Sequence, residues 1–103
     1  MSLRPPDLTG GRSAESGLDL LGYEMMAEKA SALGRAGRQV EICLEKLRAH
    51  DRGSEGRTAA LKDAAEAVYA YFIQRELCGL RRHQDVIRDY GIPNEVLARL
   101  GAK

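Results

Sequence analysis

Apolar residues recur at helical spacing through the second half of the chain, from Thr58 to Tyr90. This stretch contains no proline, and Gly79 is its single weak helix former. Its middle, from Ala67 to Ile73, is apolar on every side, and a helix of that kind must be covered on more than one face. The middle also has high β-propensity, but its helical flanks and the lack of a second strand-like stretch favour a helix. We therefore predict one long helix over about 58–90.

A seven-residue repeat of large apolar residues marks the first half of the chain. Its members, called the seam below, are Met26, Leu33, Val40 and Leu47. Small residues accompany the seam, including Gly34 and Gly37 within a single helical turn. This repeat predicts a helix over about 14–50 that packs antiparallel on a neighbouring helix at a shallow crossing angle.

Residues 51–57 have the composition of a turn, which would join the two long helices into an antiparallel hairpin. If the turn is centred near Ser54, residues equidistant from it along the chain lie side by side. This register places Gly37 beside Tyr71, so that the small residues of the first helix face the bulkiest segment of the second. A glycine inside a helix costs about 1 kcal/mol relative to alanine, and this close packing supplies the reason for it.

The two ends of the chain are predicted to differ. Gly91 and Pro93 end the second helix, and a short third helix follows over about 94–100. Residues 1–12 contain two prolines and two glycines without a periodic apolar face, and we expect a flexible arm there. The predicted fold is all-α, with one helical domain over 13–103 that consists of a long antiparallel hairpin and a short C-terminal helix.

A single hairpin of this length leaves apolar surface uncovered. The uncovered residues form a girdle that consists of Tyr69, Tyr71, Phe72 and Ile73. A second copy related by a two-fold axis would cover the girdle and complete a four-helix bundle, so the sequence predicts a homodimer. The alternative is a monomeric globule in which the first helix breaks between Gly34 and Gly37.

The charge and the cysteines of the chain limit which partners it can bind and indicate the cellular compartment. The 103 residues include 30% charged side chains with a net charge of +1, which disfavours nucleic acid and membrane surfaces as partners. No apolar run approaches the roughly 20 residues that span a bilayer. Cys43 and Cys78 are expected to be free thiols, and the N-terminal segment lacks the apolar run of a signal sequence. We therefore expect a cytoplasmic protein.

Two groups of polar residues are candidates for a functional site. Arg75 and Glu76 closely follow the girdle, and with its members they are predicted to form an interface or a small polar pocket. The second group is a basic stripe that consists of Arg81, Arg82 and Arg88. Such a stripe suits nucleic-acid phosphates, but acidic residues lie between its members, and ion pairs along a solvated face are the simpler interpretation.

No pattern in the sequence predicts catalysis, a metal ion or a cofactor. Cys78 and His83 point in different directions on a helix, and neither Cys-x-x-Cys nor Glu-x-x-His occurs. The predicted function is that of a small homodimeric helical protein that binds itself and another protein. The alternative is a helical protein that associates with nucleic acid through the basic stripe.

The last third of the chain, YFIQRELCGLRRHQDVIRDYGIPNEVLARLG, resembles the C-terminal part of a family of small uncharacterised bacterial helical proteins. The resemblance implies a helical fold and a bacterial source. It includes no motif of known chemistry, so it implies no function and no site residue.

Overall fold

The computed structural model describes residues 10–101 of the chain. Its helices are α1 (Gly10–Arg48), α2 (Arg57–Leu77), α3 (Gln84–Tyr90) and α4 (Asn94–Leu97). No residue in this range belongs to a strand, which confirms the all-α prediction. The flexible arm was predicted for residues 1–12, but α1 already includes residues 10–12, and residues 1–9 lie outside the described part.

Helices α1 and α2 form the predicted antiparallel hairpin. The turn between them contains Gly53 and Gly56 with φ of 78° and 89°, a conformation that residues with a side chain rarely adopt. Val40 and Leu47 of the seam are buried in one apolar cluster with Val68 of α2. Burying such a side chain stabilises the fold by about 1.5–3 kcal/mol, so this cluster is the main source of hairpin stability.

The single helix predicted over 58–90 is wrong, because the chain leaves α2 after Leu77 and turns back into α3. Gly79 adopts a left-handed conformation with φ of 88°. The N–H groups of Gly79 and Leu80 donate to the carbonyls three and five residues earlier, at 3.0 and 2.9 Å. These two bonds form a Schellman motif, which a glycine at this position allows. One residue thus ends the helix in the middle of a helical pattern.

The end of α3 follows the same motif and was predicted at the correct residue. Gly91 has φ of 66°, and the N–H of Ile92 donates to the carbonyl of Ile87 at 2.9 Å. Pro93 then precedes α4, where Val96 is fully buried. The predicted third helix over 94–100 is shorter in the structure, where α4 ends at Leu97.

The return of α3 changes what covers the girdle. Tyr71 packs against Tyr90 of α3, with ring centroids 5.6 Å apart, and Phe72 is covered by the segment between α2 and α3. The prediction that one copy leaves the girdle uncovered is therefore wrong for Tyr71 and Phe72, which are buried. Tyr69 and Ile73 lie on the other side of α2 and are 48% and 40% exposed.

The N-terminal part of α1 extends beyond the hairpin. Helix α1 runs without a break through Gly34 and Gly37, which rules out the predicted alternative of a broken first helix. The thiol of Cys78 approaches the carbonyl of Lys29 at 3.9 Å and marks the level at which α2 ends. Residues 10–28, called the overhang below, therefore have no neighbouring helix within the described part of the chain.

The overhang carries large apolar side chains that are all exposed. They are Leu18, Leu20, Leu21, Tyr23, Met25 and Met26. The overhang makes the molecule elongated, with extents of 76, 24 and 21 Å along its principal axes. Within residues 10–101, no helix combines the length and the hydropathy needed to cross a membrane.

Candidate functional site

Arg75, in the last turn of α2, is the one charged residue that is buried among those described, at 7% exposure. It is buried because the chain reverses at Gly79 and lays the residues before α3 across the end of α2. A buried guanidinium group must be hydrogen-bonded, since an unpaired charge away from water costs several kcal/mol. The contacts of Arg75 therefore define the centre of the candidate site.

Three groups hold the guanidinium of Arg75. Its Nε donates to Nδ1 of His83 at 3.0 Å, and its Nη2 donates to the carbonyl of Arg82 at 2.7 Å. The same Nη2 lies 3.5 Å from Oδ1 of Asp85. Its Nη1 has no hydrogen-bond acceptor among the side chains and carbonyls of residues 17–101. Arg75 is thus fixed in place, and its Nη1 group has no partner within that part of the chain.

His83 is the second member of the cluster, and its tautomer follows from its neighbours. Because arginine only donates, Nδ1 of His83 must accept, and the proton is on Nε2. Nε2 then donates to Oε2 of Glu76 at 3.0 Å. The imidazole also stacks on Phe72, with ring centroids 4.1 Å apart and 5° between the planes. The imidazole ring is therefore held by hydrogen bonds at both of its nitrogens and by stacking on one face.

A shallow cavity of about 580 Å³ opens beside this cluster. Four arginines line it, namely Arg75, Arg81, Arg82 and Arg88. Asp85 is the one carboxylate among its lining residues, and Gln84 adds a neutral amide. What the cavity offers chemically is a concentration of positive charge and N–H donors, the groups that bind oxyanions.

The structure brings together most of the candidate residues, in a way the sequence did not predict. His83 directly contacts Arg75, Glu76 and Phe72. Tyr71 joins the cluster through Arg75, whose guanidinium lies over its ring. The basic stripe lies on the cavity wall and does not form a straight row on one helix. Two candidates lie apart from this cluster, on the exposed side of α2: Tyr69 and Ile73.

A second polar contact connects α2 and α3 near the close packing of α1. A hydrogen bond with Tyr71, together with burial, raises the pKa of Tyr90 to about 12. Both rings pack beside Gly37, so the hydroxyl pair lies where three helices meet. Among the described residues, no group of three or more histidine, cysteine or acidic side chains is placed to hold a metal ion.

Comparisons with known proteins place the chain in a family without assigning an activity. The model of a family described as "Family of unknown function (DUF6665)" matches residues 1–103. The resemblance to an uncharacterised family is therefore confirmed, but it covers the whole chain and not the last third alone. No curated protein and no solved structure matches the chain.

Proposed function

The chain belongs to this family of unknown function, and from its geometry we propose that it is a self-associating helical interaction protein. Two copies pair through the overhang of α1 in an antiparallel arrangement about a two-fold axis. The single observation that carries the proposal is that the seam continues beyond the helix that covers it.

The seam changes its surroundings along α1. Val40 and Leu47 are buried against α2, and Leu33 is partly buried. Met26, the next member towards the N-terminus, is 69% exposed. Tyr23, three residues before Met26, lies on the same side of the helix and is 73% exposed. This apolar face therefore continues beyond α2 as far as Asp19, which takes the next heptad position, and no helix in the described part of the chain covers it there.

A second copy of the chain is the occupant that this geometry favours. A two-fold axis brings identical surfaces together, so one apolar helix face is sufficient to build the interface. The overhang, residues 10–28, is about 28 Å long at 1.5 Å per residue, enough for about five turns of helix packing. At its tip, the partner's exposed α2 face offers further apolar contact through Tyr69, Ile73 and Leu77, which are spaced four residues apart.

This arrangement is a homodimer, as predicted from the sequence, but its centre contains two helices, one overhang from each copy, where the predicted bundle has four. An additional protein partner would bind the outer surface of such a dimer. We further propose a bacterial cytoplasm as its location, supported by two cysteines that are both free thiols.

Sedimentation equilibrium of the full chain at micromolar concentration tests the proposal. We expect a species of twice the 11.3 kDa chain mass. Met26→Lys should raise the dissociation constant at least about tenfold, because it places an unpaired charge in the interface. Ser31→Lys is the matched control, since it adds the same charge at an exposed position about 140° around the helix from Met26. A parent protein of single-chain mass, or equal effects of the two variants, would contradict self-association through this face.

A further inference from the structure

The arginine-lined cavity between α2 and α3 carries a local concentration of positive charge. Four guanidinium groups line it with one carboxylate, a local net charge of three positive units. The whole chain has a net charge of only +1. The positive charge is therefore localised and does not result from a generally basic protein.

The buried member of the cavity wall is already organised for binding. Arg75 is held by His83 and by the carbonyl of Arg82, and its Nη1 has no acceptor among residues 17–101. A guanidinium that is fixed before binding loses little conformational freedom when a ligand arrives. Arg81 and Arg82 are exposed and lie on the same wall, so they can close on a ligand held by Arg75.

Asp85 shows that the guanidinium of Arg75 attracts an oxyanion on the side of its Nη2 group. Its Oδ1 lies 3.5 Å from Nη2 of Arg75, which is a loose contact, and the same oxygen accepts the N–H of Val86 at 2.9 Å. Asp89 lies 3.6 Å from Nε of Arg88, whereas Arg81 and Arg82 have no carboxylate within 4 Å among residues 17–101. A stronger oxyanion would therefore find donors that Asp85 does not use.

We propose that this cavity binds the phosphate group of a small phosphorylated molecule. A carboxylate is matched by the fork of one arginine, whereas several arginines around one cavity suit a tetrahedral dianion. Binding along a nucleic-acid strand is disfavoured, because Asp85 and the exposed carboxylates of Glu76 and Asp89 interrupt the basic surface. The proposal is independent of self-association, and Met26→Lys should leave it unchanged.

The test is a titration of the full chain with inorganic phosphate and with pyrophosphate. The NMR chemical shift of the Arg75 Nε–H group reports binding. We expect saturable shifts for both, with tighter binding of pyrophosphate because it carries more charge. Arg81→Gln and Arg82→Gln should each weaken pyrophosphate binding about tenfold, the loss expected for one charge-assisted contact. Asp85→Asn should strengthen it, because the competing carboxylate is removed.

Arg99→Gln is the matched control, since Arg99 is exposed and does not line the cavity. Its affinity for pyrophosphate should stay within about twofold of the parent. The proposal is overturned if no saturable shift occurs, or if Arg99→Gln weakens binding as much as Arg82→Gln does. A single-stranded oligonucleotide that binds much more tightly than pyrophosphate, with a steep salt dependence, would replace the small molecule by a nucleic acid.

Discussion

A Cβ atom built on Gly37 of α1 would lie 3.3 Å from Cε1 of Tyr71 on α2. The same position is 2.9 Å from the hydroxyl oxygen of Tyr90, closer than real Cβ contacts come. The two long helices therefore approach each other at a point where only a glycine fits without movement of an aromatic ring. Gly34, three residues earlier in the same helix, has no atom within 4 Å of its Cβ position.

These two glycines give a matched pair of variants. Gly34→Ala should stabilise the protein by up to about 1 kcal/mol, because alanine favours a helix and meets nothing. Gly37→Ala should be neutral or destabilising, because overpacking typically costs about 1–3 kcal/mol and offsets that gain. Gly37→Leu should be strongly destabilising. Urea unfolding measures all three.

Combining Gly37→Ala with Tyr90→Phe is an internal control. It removes the hydroxyl that would lie nearest the new methyl group and should recover part of the loss. Tyr71→Phe should recover less, because the ring carbon Cε1 and not the hydroxyl occupies the space. A rise in stability for Gly37→Ala equal to that for Gly34→Ala would contradict the close packing.

The hairpin register was predictable because size complementarity is encoded locally. Small residues around Gly37 and bulky residues around Tyr71 lie at equal distances from a recognisable turn. The reversal at Gly79 was not predictable in the same way. A glycine inside a helical pattern costs only about 1 kcal/mol and does not by itself end a helix. Gly91 was recognised as an end because Pro93 follows it, whereas no proline follows Gly79.

Because the reversal at Gly79 was not predicted, the centre of the candidate site was not predicted either. Eight residues along a continuous helix would separate Arg75 and His83 by about 12 Å, too far for contact. The reversal brings Nε of Arg75 and Nδ1 of His83 to 3.0 Å. The sequence indicated that Arg75 was unusual, because it follows an apolar segment. It gave no signal for His83, whose partner depends on a turn that was missed.

The buried cluster leads to a prediction on stability. Arg75→Met should destabilise the protein by about 2–4 kcal/mol, because it leaves Nδ1 of His83 and the carbonyl of Arg82 without a donor. Arg81→Met should change stability by less than about 0.5 kcal/mol, because Arg81 is exposed. Urea unfolding of both variants gives the comparison. Similar values for the two would mean that the Arg75 contacts contribute little to the fold.

A second arginine pair tests how α4 is held. Arg57 and Arg52 both contact Oε2 of Glu95, but Arg57 is largely buried and Arg52 is 86% exposed. Nη1 of Arg57 also donates to the carbonyls of Leu47 at 3.2 Å and His50 at 2.6 Å, at the end of α1. Arg57 thus connects the first turn of α2, the end of α1 and α4.

Removing these two arginines should have very different effects. Arg57→Met should cost about 2–3 kcal/mol of stability and expose the segment after Pro93 to proteases, because three contacts disappear together. Arg52→Met should cost less than about 0.5 kcal/mol, as exposed ion pairs usually do. Thermal unfolding and limited proteolysis report both quantities. Equal effects would indicate that α4 is held mainly by the apolar packing of Val96, Leu97 and Leu100.

The last prediction concerns the Tyr71–Tyr90 pair at high pH. The hydrogen bond with Tyr71 and burial raise the pKa of Tyr90 from 10.0 to about 12 in the folded protein. A raised pKa means that the folded state holds the proton more tightly than the unfolded state does. The resulting stability is complete below pH 10 and is lost as the pH rises towards about 12.

Tyr90→Phe lacks this ionisation, so its stability should decline less than that of the parent over the same range. Urea unfolding measures the decline, and the ultraviolet absorbance of tyrosinate should show that Tyr90→Phe loses the component that ionises last. Tyr23→Phe, on the exposed overhang, is the control and should retain that component. Parallel declines for the parent and Tyr90→Phe would show that the hydroxyl pair does not link ionisation to folding.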